Sequence, residues 1–115
     1  VKESEIQTDI RIELGTLEDV RLFRNNCGVL IDARGERVAY GLCKGSADLI
    51  GFRTIQVTPE MVGTLLAVFA AIEVKAPGKR ASYAQARFLS MVNDAGGLAG
   101  VATSVDEAKE ILEMT

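Results

Sequence analysis

The stretch "AAIEVKAPGKRASYAQARFL", residues 70–89, decides the fold. It starts apolar, sets two opposite charges at Glu73 and Lys75, breaks at Pro77 and Gly78, and resumes from Ser82 in a helical pattern. With the apolar run before it, "TLLAVF", the first part predicts a long central strand over residues 64–75. Alternate strand residues share a face, so Ile72 and Val74 are expected to anchor the strand. Glu73 and Lys75 then point the other way, about 7 Å apart. In the second part Ser82 and Gln85 match a capping box, and Gly96-Gly97 stops the helix. Ala84, Phe88, Met91, Val92 and Ala95 form its expected apolar stripe.

Working outward, residues 3–14 place Ile6, Ile10 and Leu14 at fourfold spacing, an amphipathic helix that ends at Gly15. Glu3 extends that face towards the N-terminus. "VRLFRNN" and "CGVLIDA" read as strands, and "ARGER" supplies a glycine turn into "VAYGL". "CKGSADLIGF" is a glycine-bounded turn leading to a short strand, and Thr58-Pro59 suits a helical turn. "LAGVATS" is a short buried strand, and Ser104 with Glu107 caps a last helix through Leu112. Helix, strands, helix, strand, helix, with no repeat or linker, is one α/β domain over residues 1–115.

At 115 residues, 48% hydrophobic, the chain can bury about two thirds of its unfolded surface, enough for one core. A net charge of −3 argues against a general polyanion-coating protein while leaving room for local nucleic-acid recognition. No run of about 18 apolar residues predicts a membrane span, so no membrane partner is expected. "VKESEIQTDI" lacks the apolar stretch of a signal peptide, and Val1 suggests a trimmed start. Cys27 and Cys43 have no histidine or second pair to make a zinc site, so reduced, partly buried thiols are expected. Without histidine, acid–base chemistry falls to carboxylates, lysine, tyrosine or water.

Asp48 follows the "KGSA" turn and opens the strand "DLIG". If the strands beginning at Asp48 and ending at Lys75 are hairpin neighbours, Asp48 and Glu73 lie side by side. Two carboxylates that close repel unless a proton or cation intervenes. Mg²⁺ resolves the conflict, since it accepts carboxylate, carbonyl and water oxygens. Lys75 then offsets charge developing on a phosphate. The plainer alternative is a Glu73–Lys75 strand ion pair worth under about 1 kcal/mol.

"RLFRNNCGVL", "YGLCKGSADLIG", "TPEMVG", "FAAIEVKAP", "SYAQARFL" and "AGGLAGVATSVDEA" together closely resemble the VRR-NUC (virus-type replication-repair nuclease) domain of the PD-(D/E)xK superfamily. The resemblance runs through nearly the whole chain in order. It implies a restriction-endonuclease-like α/β core, a central mixed sheet flanked by helices in the order α-β-β-β-α-β. It further implies a Mg²⁺- or Mn²⁺-dependent DNA endonuclease. On that pattern Asp48 and Glu73 are metal ligands, joined by the backbone carbonyl of Val74, and Lys75 is the catalytic lysine. The family's helical glutamate matches Glu3; Glu5 competes, but Ile6 and Ile10 turn Glu3 towards the sheet. Its helical glutamine matches Gln85, whose alternative role is the cap with Ser82; the two coexist only if the side chain is shared. The motif's proline before the aspartate is Ala47 here, a change that costs stiffness and no ligand.

Asn25 and Asn26 belong to the "RNN" signature and either contact DNA or cap a turn. Lys44 and Ser46 flank the site and either meet phosphate oxygens or sit in an exposed loop. Lys79, Arg80 and Arg87 are expected to hold phosphates, a contact that positions without reading sequence. Tyr40 and Tyr83 are expected to pack. Small members of the family, mostly viral or bacterial, resemble Holliday-junction resolvases, which implies a homodimer acting on four-way DNA junctions in the cytoplasm.

Overall fold

The computed structural model describes residues 2–113. The chain is mixed α/β, and it divides into two compact units that meet in sequence at Arg53 and Thr54.

The first unit holds α1 (Glu3–Gly15), β1 (Val20–Arg24), β2 (Gly28–Ile31), β3 (Arg37–Tyr40) and β4 (Leu49–Arg53). β1 and β4 pair antiparallel, Val20 opposite Arg53 and Arg24 opposite Leu49, and α1 packs against β1. Phe23 and Phe52 lie diagonally across that ladder with ring centroids 6.5 Å apart, a spacing at which aromatic pairs attract. β4 crosses β1 closely at Gly51, where any Cβ would run into the Arg21 carbonyl. β2 and β3 form a hairpin closed by Asp32, whose Oδ1 accepts the N–H groups of Arg34 (2.8 Å) and Glu36 (2.9 Å). Gly35 takes the left-handed conformation that this turn needs (φ 80°). Tyr40 lays its ring over Gly28, the residue it pairs with, but stays 46% exposed rather than packing into a core.

The second unit holds a 3₁₀ turn over Pro59–Met61, then β5 (Ala70–Val74), α2 (Tyr83–Asp94), β6 (Leu98–Ala102) and α3 (Val105–Ile111). β5 and β6 run parallel, Ala70 beside Leu98 and Val74 beside Ala102. Helix α2 covers one face of this pair and α3 the other: Gln85 of α2 reaches Glu73, whereas Ile111 of α3 lies on Gly100, the register partner of Ile72. Omitting the β2–β3 hairpin, the chain order is α1, β1, β4, β5, α2, β6, the expected α-β-β-β-α-β, with α3 appended.

Three expectations about the course of β5 and the faces of β5 and α2 need correcting. The central strand spans only Ala70–Val74, because β6 supplies ladder partners from Leu98 N–H on Phe69 O to Ala102 O under Lys75 N–H and no further. Leu65, upstream, is 99% exposed. The apolar face of α2 centres on Leu89 and the fully buried Val92; Phe88 stays 39% exposed. That rotation puts Gln85, four residues before Leu89, on the sheet-facing stripe. Val74 does not anchor β5: at the strand's last position it is 75% exposed, and Ile72 alone is partly covered on that face.

The helix ends follow local chemistry. Gly96 (φ 100°) lets Gly97 N–H reach Val92 O at 2.9 Å, which closes α2. At α3 the Ser104 hydroxyl accepts from Glu107 N–H (3.1 Å), while the Glu107 carboxylate takes Thr103 N–H (2.6 Å) in place of the Ser104 N–H that a capping box would use. The Thr103 hydroxyl, which donates to the same Glu107 oxygen, and after it the Thr103 N–H hold the Glu107 carboxyl below its ordinary value, against a small opposing desolvation.

Candidate active site

In the second unit three of the expected site residues meet. Glu73 projects from β5 under α2, and Gln85 of the first helical turn donates from Nε2 to Glu73 Oε1 at 2.6 Å. The other end of the same amide is also engaged: Gln85 Oε1 accepts the Ser82 N–H at 2.8 Å, and Ser82 Oγ accepts the Gln85 N–H at 3.1 Å. The side chain is therefore shared, its oxygen closing the cap and its nitrogen gripping the carboxylate. Lys75 Nζ stands 3.5 Å from the same Glu73 Oε1, so the plain ion pair also forms. With side chains 24% and 29% exposed, the pair is less screened than one on open surface. Among the described residues both contacts fall on Oε1, which leaves the Oε2 lone pairs for a further electropositive ligand. Glu73, Ala84, Gln85, Phe88 and Leu89 line an open groove of about 250 Å³.

Beyond Val74 the chain turns through Gly78 (φ 84°) and exposes Lys79 and Arg80. Arg87 lies over the Tyr83 ring, 5.8 Å from its centroid. Tyr83 is 79% exposed, contrary to the packing expected of it, because the buried stripe of α2 runs through positions 85, 89 and 92 and leaves position 83 outside.

In the first unit Asp48 stands just before β4 with its side chain exposed, and its carbonyl accepts the Asn25 N–H at 2.8 Å. The Asn25 side chain stitches the whole preceding loop. Nδ2 donates to Ser46 Oγ (2.7 Å) and Ala47 O (2.9 Å), and Oδ1 accepts the Leu42 N–H (2.9 Å). Ser46 Oγ in turn donates to Cys43 O at 2.6 Å. The loop passes Asn26 tightly: a Cβ at Gly41 (φ 86°) would meet the Asn26 carbonyl at 2.6 Å. Lys44 is exposed at the loop's tip. Glu3 and Asp48 line one open groove of about 440 Å³ with Ile6, Gln7, Ile10, Ala47 and Leu49. Glu5 is not among the residues lining it.

The two cysteines are free, as expected, and exposed rather than partly buried, because they occupy the loops flanking the hairpin and not its strands. Cys27 Sγ lies 3.1 Å from Ser46 Oγ. That hydrogen bond is the main cause holding the Cys27 thiol below its ordinary range; desolvation opposes it, and backbone groups of Cys43 and Leu42 and the Asn25 side chain add to it.

Two residues near these elements were not singled out by the sequence. Gln7, one turn after Glu3, shares the Asp48 groove; its signal was the spacing of four. Asn93 clasps β6 at both backbone atoms of Ala99 (3.0 and 2.9 Å), and no local pattern announces that. Among the described residues no three aspartate, glutamate, cysteine or histidine side chains gather into a metal cage. The available donors are carboxylates and carbonyls, the set that suits a hard cation completed by water and phosphate. No helix among the described residues is long and apolar enough to cross a membrane.

The fold is mixed α/β with small antiparallel and parallel sheets, which is consistent with a nuclease-like fold of the family that the chain matches. The VRR-NUC domain model matches residues 3–106, across both compact units, and the chain belongs to that family. It is on that ground a nuclease domain with DNA as its substrate class, and nucleases of this superfamily generally use divalent metals. No curated protein and no solved structure matches the chain.

Proposed function

We propose that the chain acts as one nuclease domain, a Mg²⁺- or Mn²⁺-dependent endonuclease that cuts DNA phosphodiester bonds. The observation that carries this reading is the convergence of Gln85 and Lys75 on one oxygen of Glu73, on a chain that matches the family along nearly its whole length. Asp48, Glu73, Glu3 and the Val74 carbonyl are the proposed metal-holding groups. When bound, the metal supplies Lewis-acid charge at the phosphate and lowers the pKa of the attacking water. Gln85 holds Glu73 in one rotamer, and Lys75 sets a cation where negative charge grows on the phosphate. Asn25 and Ser46 fix the backbone that carries Asp48. Lys44, Lys79, Arg80 and Arg87 are exposed cations available to phosphates, and Asn26 is a further candidate contact.

The preferred substrate is proposed to be a four-way junction, cut by a homodimer of phage or bacterial origin in the cytoplasm. Two symmetric cuts need two sites related by a twofold axis. On β2, Val29, Leu30 and Ile31 remain 51%, 50% and 63% exposed, apolar surface of the kind a dimer covers.

The test compares wild type with Glu73→Ala on labelled four-way junction, flap, linear duplex and single strand, with and without Mn²⁺. Metal-dependent cutting lost in the variant is expected. Binding without cutting by wild type would mean an accessory DNA-binding module instead. Equal cutting of junction and linear duplex would remove the resolvase assignment, and a monomer by light scattering would remove the dimer.

A further inference from the structure

The first turn of α2 carries a feature that phosphate binding and metal chemistry leave unused. Tyr83 is one of two tyrosines in a chain without tryptophan, and it is 79% exposed on a helix whose opposite side is packed. Arg87, one turn on, backs its ring at 5.8 Å. An exposed ring alone says little. Here it stands in the longest acid-free run of the chain: residues 74–93 hold no aspartate or glutamate, and besides Lys75, which pairs with Glu73, they carry Lys79, Arg80 and Arg87, all exposed, in a protein of net charge −3. The segment is thus locally cationic, with an aromatic face backed by a guanidinium, and Gln85 two residues away belongs to the Glu73 cluster.

We propose that Tyr83, backed by Arg87, is a stacking platform for one unpaired nucleobase of the DNA substrate. The complementarity is of two kinds. The cations attract the backbone, and the open ring face takes a base whose own face is free. A base within a duplex has both faces covered by its neighbours, so the platform takes a base with a free face, at the exchange point of an open junction or in a flap, and the flap serves as the simplest probe of it. Tyr83 is in this sense a specificity-determining residue, and Arg87 holds the ring while meeting a phosphate. The inference rests on the DNA-nuclease reading for its ligand and not on any cutting step.

The test uses two oligonucleotide duplexes of one sequence, one carrying an unpaired 2-aminopurine in a short flap and one fully paired. They are titrated with the whole chain in Ca²⁺ and read by anisotropy and by 2-aminopurine fluorescence. Wild type is expected to prefer the flap and to quench the unpaired base. In Tyr83→Ala the preference ratio should fall by about 5- to 150-fold, the range for one base–aromatic stack, and the quench should vanish. Tyr83→Trp should keep both. An unchanged ratio, or a quench that survives in Tyr83→Ala, overturns the platform. Thermal unfolding of each variant controls for folding, which an exposed side chain should barely affect. The two readings fail separately: quenching by wild type without cleavage of any DNA would sink the nuclease reading alone, and cleavage without quenching would sink the platform alone.

Discussion

The two compact units place their acidic residues by opposite means. In the first, the protein holds the backbone and leaves the carboxylate alone: Asn25 binds Ser46, Ala47, Leu42 and the Asp48 carbonyl, while the Asp48 side chain is exposed. In the second, it holds the carboxylate itself, with Gln85 and Lys75 both on Glu73 Oε1. The first arrangement uses neutral hydrogen bonds within a loop, and the second uses charge-assisted ones between strand and helix. A loop has no ladder to define it, so side chains must supply its bonds; a strand residue is already placed and needs only its rotamer chosen. Damage should therefore appear as lost stability in the first unit and as lost chemistry in the second.

The largest effect tests the second half of that contrast. Glu73→Ala should lower the cleavage rate at least about 100-fold, the scale for removing one group that acts on developing charge. Its thermal midpoint should stay close to wild type, because Gln85 keeps its bonds to Ser82. Cleavage within tenfold of wild type would break the assignment. Next, Asn25→Ala removes three side-chain hydrogen bonds from the loop, one part-buried and two exposed. It should cost about 2–3 kcal/mol in urea unfolding, roughly 30- to 150-fold in the folding equilibrium. A loss below about 0.5 kcal/mol would mean that the loop is held by something else.

A sharper cut separates the two ends of the Gln85 amide. Ser82→Ala removes the cap alone and should cost about 1 kcal/mol with cleavage within about twofold of wild type. Gln85→Ala should show a similar stability loss and a further fall in rate of about tenfold or more, since it also frees Glu73. Equal rates in the two variants would show that Gln85 serves the helix only. The smallest effect concerns Cys27. When Cys27 ionises, the Ser46 hydroxyl turns its one proton from Cys43 O to the sulfur and so favours the thiolate; alkylation by iodoacetamide should therefore reach half its limiting rate at a pH below the usual thiol value of about 8.5. Ser46→Ala should move that midpoint up and slow labelling severalfold at pH 7. An unmoved midpoint would show that Ser46 does not set it.

Much of this was legible because it is local. A capping box is read over four residues, Gly35 marks its turn, and acid-x-lysine on one strand face follows from a period of two. The length of β5 was not legible. "TLLAVF" has strand composition, yet a ladder extends only as far as its partner, and β6 has five residues. The helical stripe was misjudged for a related reason: Phe88 and Leu89 are both apolar neighbours, and only the sheet beneath chose Leu89.

By itself, then, the sequence determined the α/β class, the order of elements, the cap of α2 and the pairing of Glu73 with Lys75 on one face. These depend on residues a few positions apart, whose geometry the backbone period dictates. Tertiary structure alone decided that α2 turns Gln85 inward, that its amide divides between Ser82 and Glu73, and that Tyr83 is left in solvent. It also decided that Asn25 reaches 21 residues along the chain to Ser46. A helix can present any face until something packs on it, and a polar side chain takes its partner from whatever packing brings within about 3 Å.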